Sequence, residues 1–350
     1  MTVFFDARYS GETGVGRYVI QLARQLEGHG RLRYRFLREY SAARSTDIPV
    51  RGRPFAAADQ FRLALILRRL HPQLFHCPHF LVPILWRGPL VVTIHDVIPL
   101  DYPQSIASPF ARRLYPLLVR LACARALRVL VPSNATGDAL VQHGLTLRDR
   151  IVVTPPGPPL LVGPARSDNP AGGFILFVGD LKPHKNLGTL LRAYSGLAPQ
   201  FRRRVRLVVV GDGPEKKRLQ ERARSLGVAG NVVFAGHVED SRLSALYAGA
   251  LFVVLPSFAE GFGLTALEAM AHGVPVIVSD IPALRETTAG AALSFDSHDS
   301  DALRAALARL LDDDVLRTEL AARGRRRAEA FSWSTTARLT EDAYEMALSD

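Results

Sequence analysis

Residues 255–275 read LPSFAEGFGLTALEAMAHGVP, and they combine the end of an apolar run, a glycine-flanked loop and the start of a helical pattern. The loop displays Glu260 just beyond a predicted strand, Ala250–Leu255, and the following helix is predicted over Leu264–His272. A strand that passes through a short loop into a helix is the repeating unit of an open parallel sheet. Backbone N–H groups at the start of such a helix can bind an anion, and the glycines let a ligand approach closely.

The same alternation of short apolar runs and longer helical patterns occurs along the whole chain, which is typical of parallel strands buried on both faces. In the first half the predicted strands are Thr2–Tyr9, Tyr34–Glu39, Leu74–Cys77, Leu90–His95, Ala126–Pro132 and Ile151–Thr154, and the helices are Gly16–Glu27, Ala58–Leu70, Ser108–Arg125 and Asn134–His143. In the second half the strands are Phe174–Val178, Arg206–Val210, Asn231–Ala235, Ala250–Leu255, Pro275–Ser279 and Ala292–Phe295, and the helices are Asn186–Leu197, Glu215–Leu226, Ser241–Ala248, Leu264–His272 and Ser300–Asp312. We therefore predict an α/β protein with two similar halves.

A segment rich in proline and glycine separates the two halves. Residues 155–164 read PPGPPLLVGP, a composition that denies the chain both a helix and a sheet ladder. We therefore predict an N-terminal domain over residues 1–165 and a C-terminal domain over residues 166–330. Two open sheets joined by one linker imply a cleft between the carboxyl ends of their strands, where such folds bind ligands.

The excess of positive charge is confined to the first half of the chain. The 350 residues carry a formal net charge of +11. Residues 1–165 contain 21 arginines, no lysine and 10 acidic residues, whereas residues 166–350 contain 23 basic and 23 acidic residues. Nucleic acid, an anionic membrane surface or an acidic substrate would each explain this asymmetry. The arginine-rich run at residues 323–327 is balanced by acids in its own half, which favours a solvated face there.

The composition excludes several other classes of protein. With 48% hydrophobic and 22% charged residues, the chain is neither disordered nor fibrous. Cys77 and Cys123 are too few for a disulfide framework and lack the spacing of metal ligands, which fits a reducing cytosol. The first residues have no secretion-signal pattern, and no apolar run reaches the roughly 18 residues of a transmembrane helix. We expect a cytoplasmic protein without a zinc site.

Charged side chains near two predicted strand ends favour a diphosphate site. Glu268 falls about one and a half turns into its helix, roughly as far as a ribose lies from a diphosphate at the helix start. Residues 177–193, FVGDLKPHKNLGTLLRA, present Lys182 and Lys185 in a loop after a strand. A fixed ammonium there would neutralise a diphosphate without a metal ion. The alternatives are that Glu260 caps the helix, that Glu268 faces solvent and that the lysines are solvated.

Glycines mark the ends of two further strands of the second half. Residues 208–214 read VVVGDGP and residues 234–239 read FAGHVE. Glycine at a strand end lets a flat base lie against the backbone, although it is just as often part of a plain turn. In the first half, residues 11–18 read GETGVGRY, a glycine-rich loop without the spacing of a dinucleotide-binding fingerprint.

Polar residues also follow strands of the first half. His95 and Asp96 close a predicted strand at the carboxyl edge of the sheet, although a lone histidine is usually a structural residue. His76 and His79 are predicted at the same rim, without the further ligands that zinc requires. Ser133 ends the next strand and is a weaker candidate of the same kind.

The segment that begins at Glu260 resembles a known signature. Its two glutamates are separated by seven residues within EGFGLTALEAMAHGVPVIVSD, residues 260–280, which looks like the signature of glycosyltransferase family 4. The resemblance extends over nearly the whole chain. It implies the GT-B fold, in which two Rossmann-like domains face a cleft, and a reaction that retains anomeric configuration. Residues 331–350 resemble the last helix of the family, which crosses back onto the N-terminal domain.

The resemblance assigns a nucleotide-diphosphate sugar, the donor, to the C-terminal domain. It implies Lys185 on the diphosphate and Glu268 on the ribose. It further implies Glu260 and the Gly261–Leu264 amides on the sugar, with the backbone of Val238 on the base. The donor-binding residues expected in this way are Gly14, Gly16, Gly179, Lys182, Lys185, Gly211, His237, Val238, Glu260, Gly261, Phe262, Gly263, Leu264 and Glu268.

One position departs from the family pattern, because Asp180 stands where an arginine usually helps the lysine to hold the pyrophosphate. We nominate Lys182 or an arginine of the N-terminal domain as its substitute. Gly14 and Gly16 match the first loop of the family, which closes over the donor phosphate and the acceptor, and His95 matches a histidine near the transferred sugar. The expected acceptor side is Arg17, His79, His95, Asp96 and Ser133, and the expected catalytic residues are Glu260, His95 and Lys185.

These expectations describe a retaining glycosyltransferase that moves a hexose, with GDP-mannose ahead of UDP-linked sugars, to a glycan or lipid-linked glycan in surface polysaccharide or lipopolysaccharide synthesis. No cofactor or metal ion is expected besides the donor. The charge of the acceptor-binding half predicts an anionic acceptor, and contact with anionic lipid at the inner face of the cell membrane, rather than nucleic acid. Two other classes stay open: a nucleotide-sugar epimerase of similar fold, which needs no acceptor, and a non-enzymatic polyanion-binding protein.

Overall fold

The computed structural model describes residues 2–9, 13–39, 42, 47–50, 57–158 and 173–349. The chain divides into two compact units. The first comprises residues 1–101, 108–157 and 331–350, and the second comprises residues 102–107 and 158–330. The predicted boundary between residues 165 and 166 lies outside the described residues, as do residues 11 and 12 of the glycine-rich loop. Residues 102–107 group with the second unit, which the sequence did not predict.

A parallel sheet forms the centre of the first unit. The strands described there are β1 (Thr2–Asp6), β2 (Arg33–Glu39), β3 (Ile48–Val50), β4 (Leu74–Cys77), β5 (Leu90–Thr93), β6 (Arg128–Val131) and β7 (Ile151–Val153). Besides the C-terminal helix, the helices described in the first unit are α1 (Gly14–His29), α2 (Ala57–Leu70), α3 (Ile98–Asp101), α4 (Pro109–Arg125) and α5 (Asn134–Gln142). The strands follow the order β3-β2-β1-β4-β5-β6-β7. All residues of β4 and β5 are buried, as expected for strands covered on both faces.

A second parallel sheet forms the centre of the second unit. The strands described there are β8 (Phe174–Val178), β9 (Arg206–Val210), β10 (Val232–Gly236), β11 (Ala250–Leu255), β12 (Val276–Ser279) and β13 (Leu293–Phe295). The helices are α6 (Leu187–Ser195), α7 (Pro199–Arg204), α8 (Lys216–Ser225), α9 (Asp240–Gly249), α10 (Leu264–Ala271), α11 (Pro282–Thr288), α12 (Ser300–Asp312) and α13 (Asp314–Ala328). The order β10-β9-β8-β11-β12-β13 reverses direction between β8 and β11, and open sheets bind ligands at such a reversal.

The last helix, α14 (Trp333–Ser349), completes the core of the first unit. Trp333 packs in one cluster with Phe5 and Tyr18, and Tyr344 packs in another with Val3 and Leu74. The helix thus returns to the unit that contains the start of the chain. Two parallel α/β units and a returning C-terminal helix confirm the predicted fold class.

A buried ionic cluster follows β1 in the first unit. The Arg8 guanidinium donates through Nε and Nη2 to the two carboxylate oxygens of Asp6, both at 2.7 Å, and through Nη1 to Asp59 in the first turn of α2. All three side chains are at most 1% exposed. Because each partner is desolvated, the cluster ties the end of β1 to α2 and depends on all its charges being present.

Several boundaries differ from the predictions. Helix α1 begins at Gly14, since the Thr13 hydroxyl accepts the Gly16 N–H at 3.1 Å and caps the first turn. Strand β5 ends at Thr93, so His95 lies beyond the sheet ladder. Strand β3 and the helices α3, α7, α11 and α13 were not predicted from the sequence.

Candidate functional site

An ion pair joins two of the predicted donor-site residues. Lys185 ends a short 3-10 turn after β8, and Glu260 lies in the loop after the neighbouring strand β11. The Lys185 Nζ lies 2.7 and 2.9 Å from the two Glu260 carboxylate oxygens. The Ser257 hydroxyl donates to Glu260 Oε1 at 2.6 Å. The structure therefore brings opposite charges together at the point where the strand order reverses.

Asn186 holds the two loops of this site together. Its backbone is left-handed, with φ 54° and ψ 32°, a conformation that asparagine tolerates better than most residues. Its side-chain amide donates to the carbonyl oxygens of Pro256 and Ser297, both at 2.9 Å. From the sequence, Asn186 was predicted only as the start of a helix. An asparagine between a turn and a helix was the available signal for this backbone conformation.

Glycines line the neighbouring strand ends. The Gly179 N–H donates to Val210 O at 3.0 Å, and the Gly211 N–H donates to Gly236 O at 2.8 Å. Gly211 has φ +124°, and a Cβ there would lie 2.1 Å from Gly179 O, so only glycine fits this position. In the predicted base-binding segment, His237 is exposed and Val238 is buried.

The start of α10 offers backbone donors close to Glu260. Gly263 precedes the helix with φ +97° and makes no side-chain capping bond. The Ala266 and Leu267 amides donate to Gly263 O at 2.9 and 3.2 Å, so Leu264 and Thr265 carry the amides that precede the first of these bonds. Phe262 is buried, and its carbonyl oxygen accepts the Thr287 hydroxyl at 2.5 Å, which fixes the loop that leads into the helix. This geometry agrees with an anion at the helix start.

Glu268 is buried rather than solvated. Its side chain is on α10, the residue is 6% exposed, and the Tyr247 hydroxyl of α9 donates to Glu268 Oε2 at 2.5 Å. The alternative in which Glu268 faces solvent is therefore wrong. A buried carboxylate in a hydrogen bond is held in a fixed orientation, which a ribose contact would require.

Lys182 has a partner of its own beside the site. Its Nζ lies 3.0 Å from Asp180 Oδ2, and the two side chains are 37% and 65% exposed. The residue nominated as the second cation is thus paired with the carboxylate that stands in place of the family's arginine.

The first unit holds the residues predicted for the acceptor side. Gly14 and Gly16 form the first turn of α1 instead of a loop, because Thr13 caps the helix before them. Arg17 follows in the same turn and is half-buried. Asp96 Oδ1 accepts the Ile98 N–H at 3.1 Å and so shapes the turn that enters α3.

His95 and His79 are neutral in their surroundings. His95 Nε2 donates to Pro78 O at 3.0 Å, and its ring meets the edge of Tyr18. Burial lowers the pKa of His95 to about 4. Burial, with a smaller contribution from His95, lowers the pKa of His79 to about 3, and His79 Nδ1 accepts the Leu81 N–H at 3.2 Å. Both rings can therefore offer hydrogen bonds without carrying a charge near neutral pH.

Two residues that were predicted at the rim of the first sheet are buried inside the first unit. His76 is fully buried between the Tyr344 and Thr93 hydroxyls, at 2.6 and 2.8 Å, so it does not lie at the rim. Ser133 is also fully buried, and its hydroxyl accepts the Thr136 N–H at 3.0 Å as the cap of α5. The prediction of an acceptor contact at Ser133 is corrected accordingly, since a buried capping hydroxyl is not presented to a ligand.

The described part of the chain lacks two features. No group of three or more histidine, cysteine, aspartate and glutamate side chains there is arranged to hold a metal ion. No helix in the same part of the chain has the length and apolar character needed to cross a membrane.

The chain is similar to known families along its length. Residues 167–327 match the family described as glycosyl transferases group 1, and residues 13–160 match glycosyltransferase family 4. The O-antigen chain mannosyltransferase B of Escherichia coli is 31% identical to it, covering 95% of this chain and 96% of that protein. The D-inositol 3-phosphate glycosyltransferase of Streptomyces avermitilis is 30% identical, and the match covers 75% of this chain and 61% of that longer protein.

Solved structures share the fold. The structure of Anabaena Alr3699/HepE in complex with UDP and glucose matches with a TM-score of 0.79 and 21% identity, over 99% of both chains. At this identity the match shows the fold.

Proposed function

The chain belongs to the glycosyltransferases of family 4, and on that premise we propose that it moves a hexose, with mannose as the first candidate, from a nucleotide-diphosphate sugar to a hydroxyl of a glycan or lipid-linked glycan, with retention of configuration. The observation that carries the proposal is the Lys185–Glu260 pair next to the start of α10. A cation, a carboxylate and backbone donors at one sheet edge suit a negative diphosphate joined to a neutral sugar.

Each donor-site residue has a stated role in this proposal. Lys185 stabilises the charge that grows on the diphosphate as the bond from the sugar C1 to the phosphate oxygen breaks. Glu260 and the amides at Gly263 and Leu264 hold the sugar, and the Glu260 charge favours the oxocarbenium-like centre. Glu268 holds the ribose. The acceptor oxygen attacks C1 from the same face, and its proton passes to the departing diphosphate. The neutral His95 of the first unit contacts the sugar or the acceptor, and no step uses a metal ion.

The preference for mannose rests on one relative. The Escherichia coli protein that matches almost the whole chain is named an O-antigen chain mannosyltransferase. Its name also supports surface polysaccharide as the product class. The neighbour with UDP and glucose and the inositol 3-phosphate glycosyltransferase make UDP-linked donors the direct comparison.

The identity of the donor and the role of Glu260 can be tested together. We expect GDP-mannose to raise the melting temperature more than UDP-glucose, and Glu260→Ala to abolish transfer while the variant melts as a folded protein. Glu319→Ala, an exposed acid of α13, is the matched control and should keep its activity. Substantial turnover by Glu260→Ala contradicts the proposed role, and conversion of the donor to another sugar nucleotide without acceptor indicates an epimerase instead.

We also propose an anionic acceptor presented at the cytoplasmic face of a membrane. Helix α4 carries four arginines, and the described helix contains no acidic residue. Phe110 and Leu117 are 75% and 53% exposed, and they alternate along one face with the exposed Arg113 and Arg120. Apolar side chains between arginines match the interface of an anionic bilayer, where the former enter the acyl boundary and the latter meet lipid phosphates.

A vesicle assay tests this surface. The double variant Phe110→Ser/Leu117→Ser should bind phosphatidylglycerol vesicles about tenfold less tightly than the parent protein. It lacks the two apolar side chains that would enter the bilayer on binding. Val315→Ser removes an apolar group that is 80% exposed on α13 of the second unit, and it should leave binding unchanged. Equal binding to phosphatidylcholine and phosphatidylglycerol vesicles contradicts the membrane proposal.

A further inference from the structure

His184 lies in the 3-10 turn between the two lysines of the donor site and has a buried nitrogen without a partner. The residue is 6% exposed, and its Nδ1 has no hydrogen-bond partner among the described residues. A buried polar atom without a partner costs free energy, so native proteins usually satisfy it. Burial, then the positive charge of Lys185, lowers the pKa of His184 to about 4. The ring is therefore neutral in the free protein near neutral pH.

The charges around this turn balance before any ligand binds. Lys185 is paired with Glu260, and Lys182 is paired with Asp180. A diphosphate esterified at both ends brings two further negative charges. Lys182 and Lys185 would have to neutralise these charges and those of their carboxylate partners at the same time. The arginine that family members place at the position of Asp180 is absent, so one positive charge is missing from the site.

We propose that His184 takes up a proton when the sugar nucleotide binds and so supplies the second positive charge on the diphosphate. The inference rests on the proposed function of the site. The proton comes from solvent and returns to it when the nucleotide diphosphate leaves. No bond other than that to the proton is made or broken at the imidazole. The site would then convert from neutral to cationic only while it is occupied.

The surroundings of His184 favour this change once an anion is present. Lys185 and Lys182 oppose protonation, whereas Glu260 and Asp180 favour it. The bound diphosphate adds its negative charge to those of Glu260 and Asp180, and it draws the two lysines toward itself. From the loop after β11, the Phe258 N–H donates to the His184 carbonyl oxygen at 2.8 Å and holds the turn in place.

An uncharged segment packs on the same turn. Residues 103–105 form a 3-10 turn that packs on residues 183–185, and the buried Ser105 hydroxyl there has no hydrogen-bond partner among the described residues. This segment contributes no ionisable side chain. It can accept a hydrogen bond from a protonated neighbour without adding a competing charge.

Calorimetric titration with intact GDP-mannose and UDP-glucose, in two buffers of different ionisation enthalpy, measures the proton directly. Sugar nucleotides are chosen because their phosphates lack the ionisation near pH 6 that a phosphate monoester has. If binding restores the ordinary pKa of about 6.5, about half a proton is taken up per nucleotide at pH 6.5. The dissociation constant should then decrease about tenfold between pH 8 and pH 5.5.

Three variants separate the possible sources of the charge. His184→Gln should lose both the proton uptake and the pH dependence while it binds at pH 8 within about twofold of the parent. His184→Arg should bind tightly at every pH because its cation is permanent. Lys182→Met should keep the proton uptake, since Lys182 is not its source.

Two outcomes overturn the inference in distinguishable ways. Binding of a sugar nucleotide without proton uptake, or with the same uptake in His184→Gln, contradicts the role of His184 and leaves the proposed function standing. Failure of both nucleotides to bind at any pH contradicts the donor site itself, and the inference with it.

Discussion

The ammonium of Lys185 lies 2.7 and 2.9 Å from the two carboxylate oxygens of Glu260, although 75 positions separate the residues in the chain. The side chains are 20% and 10% exposed, so water screens the pair only in part. The carboxylate proposed for the sugar thus also orients the lysine proposed for the diphosphate. Such orientation before binding is the condition under which charged groups stabilise a transition state efficiently.

Replacing Lys185 should affect turnover far more than stability. We expect Lys185→Met to lower kcat/KM by about 10²–10³-fold, because the leaving diphosphate loses its cation. The free energy of unfolding should fall by about 1–2 kcal/mol, because the largely buried Glu260 loses its cation but keeps the Ser257 hydroxyl. Steady-state kinetics and urea unfolding measure the two effects. Arg304→Met, which removes a surface ion pair of α12, is the control and should leave kcat/KM unchanged.

Asn186 should matter for both folding and turnover. Asn186→Ala removes the donors to Pro256 O and Ser297 O, so we expect a loss of about 2 kcal/mol or more in unfolding free energy and a lower kcat. Asn186→Gly loses the same bonds but tolerates the left-handed backbone, and should be about 1 kcal/mol more stable than the alanine variant. Thermal unfolding compares them. Unchanged stability and kcat in Asn186→Ala would mean that the two loops do not depend on this amide.

The cluster of Arg8 with Asp6 and Asp59 predicts a large effect on stability. Arg8→Met leaves two buried carboxylates without their cation, and we expect a loss of about 3–5 kcal/mol. Arg148→Met removes an exposed pair with Asp138 and should cost about 1 kcal/mol or less. Urea unfolding of both variants tests the contrast. Equal costs would show that burial does not govern these pairs.

Buried histidines predict a loss of stability in acid. Burial lowers the pKa of His76 to about 3, whereas the unfolded chain binds a proton at that residue with a pKa of about 6.5. Between these values the unfolded state holds the extra proton. The free energy of unfolding therefore decreases by about 1.4 kcal/mol for each unit by which the pH is lowered, for such a group. The loss begins below pH 6.5. An NMR titration in which the His76 ring titrates above pH 5 would contradict this prediction.

Hydrophobic patterns predicted the bounds of several strands correctly. Strands β4, β8, β9 and β11 have the predicted bounds, because continuous apolar runs are their local signature. Strand β3 was missed because it has only three residues with Pro49 at its centre. Helix α13 was missed because its arginine-rich sequence hides the apolar face.

The residues of the candidate site could be predicted from the sequence, but the ion pairs and hydrogen bonds between them could not. Motif residues such as Lys185 and Glu260 follow strand ends, and parallel strands bring such ends to one edge. Asn186, next to Lys185, links loops through hydrogen bonds that span 70 and 111 positions, and no local pattern contains that information. Ser133 was misinterpreted because a serine after a strand serves equally as a ligand contact or as a helix cap.

The return of α14 to the first unit also sets an order of events during synthesis. Tyr344 packs against residues of β1 and β4, and its hydroxyl reaches His76, so the hydrophobic core of the first unit is incomplete until the last helix leaves the ribosome. At about 5–20 residues per second, the second unit emerges whole while the first still waits for its closing helix. The unit that is made first is therefore expected to finish folding last.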